Sequence, residues 1–206
     1  NFTTNFSILN KETTFNMDVY QTHFQNQVVV DIEQGDKIKI YNLNGTSYST
    51  SLQIDATIEP AEGWELKFAQ KWNETKTTYG ENGSSTTTYM PFVSKYRSLA
   101  QVSYAAWQNK WDINITLQNI GPSRVPAKGE QAESWSPNFN LLSGQFTKRF
   151  KRFDWYIGIE NALSFTQENP IRSIESPFSP EFDAAMIWGP VMGRKMYSGI
   201  RVKFND

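Results

Sequence analysis

A single histidine, His23, limits the chemistry open to these 206 residues. A serine–histidine nucleophile or a multi-histidine metal site would have to be built around it. His23 shares its parity with Phe15, Met17 and Val19, so alternation puts it on an apolar face near a strand end. Packing at an interface accounts for it there. No serine and orienting acid stand at a spacing that makes a hydrolase. Asp31, Glu33 and Asp36 gather around Gly35. Calcium takes such oxygens, but the spacing is not that of an EF-hand loop, and a solvated hairpin tip explains the cluster more simply. Lys148, Arg149, Lys151 and Arg152 flank a tight turn. Such a basic cluster can meet anionic headgroups, yet a formal net charge of -1 gives no general field for nucleic acid. With no cysteine there is no disulfide or thiolate metal site. The sequence therefore reads as no enzyme, and it calls for no cofactor or metal.

The elements that carry these residues are strands. Alternation with period 2 recurs along the chain, and helical periodicity is almost absent. Leu52, Ile54, Ala56 and Ile58 oppose Ser51, Gln53, Asp55 and Thr57. Trp111, Ile113, Ile115 and Leu117 oppose Asp112, Asn114, Thr116 and Gln118. Phe153 to Glu160 and Arg194 to Phe204 repeat the pattern, and weaker copies lie near 2–9, 14–24, 64–73, 97–106 and 139–150. About nine strands result, most near the ~10 residues that a tilted strand needs to cross a bilayer. The expected fold class is all-β: an antiparallel transmembrane β-barrel segment.

Connection lengths give direction. Short links fall at Asn10–Glu12, Glu59–Gly63, Gln108–Asn109 and Lys151; long ones cover about 25–45, 75–94, 121–137 and 163–193. They alternate strictly, as the periplasmic turns and extracellular loops of an outer-membrane barrel do. The first long connection is expected to continue as a hairpin, and the Thr- and Ser-rich stretch from Thr75 to Tyr89 to be a solvated loop. Trp64, Trp72, Trp107, Trp111, Phe150, Phe153 and Trp155 sit near strand ends, where interfacial girdles form. The last strand then runs inward and ends at Phe204.

Specific residues carry a family resemblance. The closing run Asp183-Ala-Ala-Met-Ile-Trp-Gly-Pro-Val-Met-Gly-Arg-Lys-Met-Tyr-Ser-Gly-Ile-Arg-Val-Lys-Phe204 resembles the end of a TonB-dependent outer-membrane receptor of the kind common in Bacteroidetes. Glu160 to Ile171, Phe24 to Asp31 and Tyr41 to Ser47 support it. The resemblance implies a barrel of about 22 strands around a plug domain, with TonB engaged by a segment ahead of the plug. This chain, residues 1–206, would supply the C-terminal portion of that barrel and neither plug nor TonB segment. Phe204 would serve as the C-terminal signal for the barrel-assembly machinery. Nine strands leave two unpaired edges that a bilayer does not tolerate, so the remainder of the barrel is an expected partner, with outer-membrane lipid around it.

Gln53, Asp55, Glu65, Lys67, Gln101, Asp112, Asn114, Gln118, Gln145, Arg149, Arg201 and Lys203 are expected to face the lumen and the plug. Tyr41, Tyr89, Phe92, Trp135 and Trp188 lie in the long loops and are the candidate ligand contacts. The expected function is capture and TonB-energised import of a scarce solute: a metal chelate or siderophore, a vitamin or an oligosaccharide. A non-transport outer-membrane or secreted β protein that displays loops for adhesion or protein interaction is the alternative.

Overall fold

We describe the chain from a computed structural model, over residues 1–8, 11–31, 38–43, 45–79, 86–106, 108, 110–126 and 134–204. Its strands are β1 (Phe2–Ile8), β2 (Lys11–Phe24), β3 (Val28–Asp31), β4 (Lys39–Asn42), β5 (Ser47–Ile58), β6 (Trp64–Tyr79) and β7 (Thr86–Tyr89). They continue as β8 (Tyr96–Ala106), β9 (Trp111–Ile120), β10 (Arg124–Val125), β11 (Ser134–Trp135), β12 (Phe139–Arg149), β13 (Phe153–Glu160) and β14 (Lys195–Val202). Among the described residues no helix is long and apolar enough to cross a membrane, which says nothing of strands.

One antiparallel sheet dominates. Its order is β1-β2-β5-β6-β8-β9-β12-β13-β14, with β7 paired to the far end of β6. Each long strand thus lies beside its neighbour in sequence, the up-and-down meander that short turns enforce. The sheet is open, with β1 at one edge and β14 at the other. The small ladders β3–β4 and β10–β11 stand apart from it in the long connections.

Register sorts the two faces through the middle of the sheet. Met17, Ile54 and Gln70 lie opposite one another across β2, β5 and β6, and Asn16 lies opposite Asp55. Val102, Ile115 and Gly144 align across β8, β9 and β12, while Ser103, Asn114 and Gln145 align one residue away. A slip of one residue would exchange the faces, so the alternation itself fixes the pairing. Among the described residues nothing covers the apolar face: Ile115 is 48% exposed, Leu117 42% and Ile200 64%. Buried apolar residues are few, and Val29, Leu43 and Tyr79 form the cluster in the long connections. A soluble sandwich would bury this face against a second sheet. A membrane barrel leaves such a face to lipid.

Two aromatic belts bound the apolar face. Near the short turns, Trp64 packs on Tyr104 at 4.5 Å between ring centroids, Trp111 on Phe146 at 5.1 Å, and Phe150 on Phe153 at 4.5 Å. Toward the long loops, Trp72 stands opposite Tyr96. Eight residues separate Trp64 from Trp72 on β6. That is about 26 Å along a strand, or roughly 20 Å of height at a ~40° tilt, near the apolar band of a membrane barrel. His23 pairs with Tyr48 at the loop end of the same face, with centroids 6.3 Å apart. Trp107 lies outside the described residues.

The short links are real turns. Gly63 adopts φ 78° after β5, and a Cβ there would meet the Ala105 carbonyl oxygen at 2.3 Å. Only glycine fits that approach. Two expectations need correction. The turn placed at Asn10–Glu12 is tighter, because Lys11 already pairs with Ile8 and Glu12 with Ser7. The stretch from Thr75 to Tyr89 is not simply a loop: β6 runs on to Tyr79 and returns as β7. Threonines favour extended backbone, and cross-strand hydroxyl pairs such as Thr78–Thr87 at 2.9 Å and Ser49–Thr75 at 3.0 Å support it. The first long connection does form a hairpin, β3 against β4.

Candidate functional site

At the loop end, aromatic and cationic side chains converge from three separate connections. The β10–β11 ladder is tied down when Ser136 donates its amide to Ser123 O at 2.8 Å and Ser123 donates its own to Ser136 Oγ at 2.9 Å. Arg124 is 1% exposed and donates from Nε to Tyr89 O at 2.6 Å. The amide of Phe92, a residue with φ 60°, donates to Arg124 O at 3.0 Å. Burying a guanidinium to brace two backbone segments is costly unless the position of those segments matters.

Held in this way, Tyr89 meets Trp135 edge-on with centroids 5.3 Å apart. Lys95 Nζ lies 3.8 Å from the Trp135 centroid and 4.9 Å from that of Tyr89. Lys76 Nζ also lies 4.9 Å from the Tyr89 centroid. Its bond to the Glu74 carboxylate, 2.6 Å away, and then one to Tyr48 hold the ammonium well above the ordinary lysine pKa on the part of β6 beyond the aromatic belt. A cation over an aromatic face is attracted by the ring quadrupole, which helps hold these side chains together.

Trp135 also lines a pocket of about 150 Å³ shared with the last long connection, where Gln167, Arg172, Met186 and Trp188 complete the wall. Gln167 fixes that wall. Its Oε1 accepts from the amides of Trp188 at 2.8 Å and Gly189 at 3.1 Å, and its Nε2 donates to Met186 O at 2.9 Å. Phe165 stacks on Phe139 at 4.6 Å, and Trp188 closes against both rings.

Of the five loop aromatics read from the sequence, Tyr89, Trp135 and Trp188 are therefore brought together, and Phe92 joins them through its backbone. Tyr41 lies elsewhere. It packs against the Val29–Leu43–Tyr79 cluster and donates its hydroxyl to Asp31 Oδ2 at 3.0 Å. That bond and 1% exposure give Asp31 a structural task; Glu33 and Asp36 lie outside the described residues. Among the described residues no group of acids and histidines is placed to hold a metal. Lys95, Lys76, Arg124 and Gln167 were missed, because their roles arise from contacts between loops that no local pattern announces.

The polar face of the sheet forms a separate network toward the short turns. Arg149 Nη2 pairs with Asp112 Oδ2 at 3.0 Å, and Lys203 Nζ with Asp154 Oδ1 at 2.7 Å. Asn114 donates to Asp112 at 2.7 Å and accepts from Ser103 at 2.6 Å and Gln101 at 3.3 Å. Gln145 accepts from the Tyr197 hydroxyl at 2.9 Å. Asn16 donates to Asp55 at 2.8 Å, and Gln53 approaches the same carboxylate at 3.5 Å. Glu65, Lys67, Gln118 and Arg201 share this face by register, and Arg201 borders a 220 Å³ recess with Arg149 and Asp154. Tyr197 lies over Gly158 and Tyr156 over Gly199, each ring occupying the space of a missing side chain. Phe204 is 92% exposed beyond β14.

No family profile matches the sequence, and no curated protein matches it closely. Solved structures do match in fold. The ferric-catecholate import receptor Fiu of E. coli K12 superposes with a TM-score of 0.64 over 98% of this chain, at 13% identity. The siderophore receptor PiuA of Acinetobacter baumannii superposes with a TM-score of 0.58 over 96% of it, at 16% identity. The chain has the fold of a barrel segment of these TonB-dependent siderophore receptors, and it spans 27% of Fiu and 26% of PiuA.

Proposed function

We propose that the chain is the C-terminal portion of the barrel of an outer-membrane active transporter. In this reading the long connections face the cell exterior and the short turns the periplasm. The observation that carries it is the continuous nine-strand path with short and long connections in alternation, combined with the match to Fiu and PiuA over nearly the whole chain. The apolar face meets lipid, and the polar face lines a lumen filled by a plug domain. TonB acts through a part of the receptor outside this chain, and Phe204 marks the end recognised during barrel assembly.

Among the solute classes considered, the loop-end chemistry favours an anionic metal chelate over a neutral sugar or vitamin. Lys95 supplies positive charge beside Tyr89 and Trp135, Lys76 being paired with Glu74, and a planar, negatively charged chelate satisfies both kinds of group. Fiu imports a ferric catecholate and PiuA is a siderophore receptor, which supports the same solute class here.

The test is uptake of iron-labelled catecholate and hydroxamate chelates by cells that make the full-length protein, with and without a protonophore. Energy-dependent uptake that falls about tenfold in Trp135→Ala, the size expected when one aromatic anchor of a ligand is lost, supports the reading. Chelate binding with no energised uptake would favour a display or adhesion protein.

A further inference from the structure

Between the two ion pairs of the polar face, near the short turns, the sheet carries a recess of about 220 Å³. Thr147 is the smallest side chain of its lining and lies midway across it, opposite Asp112 on β9 and Tyr156 on β13. Tyr156 leans away from Thr147, over Gly199 on β14, into the space of a missing side chain. A short residue beside a ring that leans aside leaves the sheet hollow at this point. Every lining side chain carries a polar atom, so the hollow is no place for an apolar group.

Its charges do not cancel. Arg149, Arg201 and, at the rim, Lys203 face two carboxylates, Asp112 and Asp154. Asp112 already takes Arg149 at 3.0 Å and the Asn114 amide at 2.7 Å. Asp154, only 5% exposed, takes Lys203 at 2.7 Å. Arg201 lies opposite Asp154 in the ladder, yet among the described residues no carboxylate stands within ion-pair distance of its guanidinium. One positive charge is left over. On an open sheet water satisfies it. A domain packed against the face removes that water, and a guanidinium covered without an acid is strongly destabilising.

The covering surface therefore has to bring a negative charge to this place, and the hollow sets its form. It has room for an aspartate or glutamate side chain with a water of about 30 Å³ beside it. A guanidinium holds a carboxylate by two parallel bonds. The Tyr156 hydroxyl stands over Gly199, two residues from Arg201 on the same face, and offers a third donor.

We infer that the recess receives one aspartate or glutamate side chain of the polar domain that fills the lumen, with Arg201 as its ion-pair partner. The inference rests on the transporter reading above, in which that domain lies outside this chain. It names the kind of residue that the domain presents and the place on the barrel where it seats.

The experiment uses the full-length protein in outer-membrane vesicles. Arg201→Lys keeps the charge and supplies an amine, which a water-soluble carbodiimide joins to a carboxylate only where the two touch. Digestion and mass spectrometry are expected to find residue 201 joined to an aspartate or glutamate ahead of the barrel. In Arg201→Glu, hydrogen exchange in the peptide that holds this acid should quicken about tenfold, the scale of one lost charge-assisted bond. Arg201→Gln should do the same to a smaller extent. Changing the acid to arginine in the Arg201→Glu background should restore protection, which a general loosening of the fold would not allow. A link from residue 201 only to Asp112 or Asp154 would overturn the inference, because the recess would then close on itself. No link, together with unchanged exchange in Arg201→Glu, would also overturn it and leave the transporter reading intact. A link between two copies would overturn it in favour of a contact between receptors. An upstream sequence that encodes barrel strands and no domain to fill the lumen would instead overturn the reading on which the inference depends.

Discussion

The two faces of β9 are made from the same ten residues and obey opposite rules. On one, Ile113, Ile115 and Leu117 stand exposed, with no second layer over them among the described residues. On the other, Asp112 and Asn114 are tied to Arg149, Ser103 and Gln101. A soluble protein would cover the first face and wet the second. Here the uncovered face is the greasy one, and polar side chains on the other face bond to one another across strands. The difference is the one that a sheet between two solvents requires, hydrocarbon on one face and water or a polar domain on the other.

Substitutions at neighbouring positions can break that contrast, and the largest effect belongs to the membrane side. Ile54→Arg in the full-length protein should cost about 2–3 kcal/mol of folding stability, as a lipid-facing charge between the midplane and the interface of a bilayer does. Gln53→Arg, one residue away on the polar face, should cost far less. Unfolding titrations in lipid vesicles that gave equal costs would contradict the assignment of faces. A second effect lies at the loop end. Arg124→Leu removes a charge-assisted bond to Tyr89 O at 2.6 Å, a loss of about 1.5–3 kcal/mol in local order. Hydrogen exchange should quicken at Tyr89 and Phe92 and stay unchanged in β12 and β13.

Smaller effects sharpen the account of the polar face. Tyr197→Ala uncovers Gly158 and frees Gln145, with an expected cost of about 1 kcal/mol. Asp112→Ala breaks a partly solvated ion pair, so water discounts the loss to under about 1 kcal/mol. If Asp112→Ala proved as damaging as Ile54→Arg, the lumen would be dry and tightly packed at that level.

The barrel strands were legible because each buries one kind of face, and period 2 records that in every strand. Met17, Ile54 and Phe68 announce their side before any register is known. The loop end was less legible for a physical reason. Thr75, Thr77 and Thr78 are polar enough to read as loop, yet their β-branched backbones extend β6 to Tyr79. Tyr89, Lys95 and Trp135 come from three segments whose approach depends on the buried Arg124, and no spacing in the chain encodes it. Tyr41 has the same residue type and loop position as Tyr89, but it serves the packing of the β3–β4 hairpin. The recess at Thr147 is invisible strand by strand and appears only once β9, β12, β13 and β14 are aligned.

These 206 residues hold no cysteine, so once any cysteine elsewhere in the full-length protein is replaced, single-cysteine labels can be placed one by one from residue 112 to residue 117. Spin labels at these six positions, measured in lipid vesicles against molecular oxygen and a water-soluble nickel chelate, test the central claim most directly. The account predicts strict alternation, with oxygen favoured at 113, 115 and 117 and nickel at 112, 114 and 116. Accessibility without alternation, or nickel reaching all six sites equally, would contradict a strand that separates lipid from lumen.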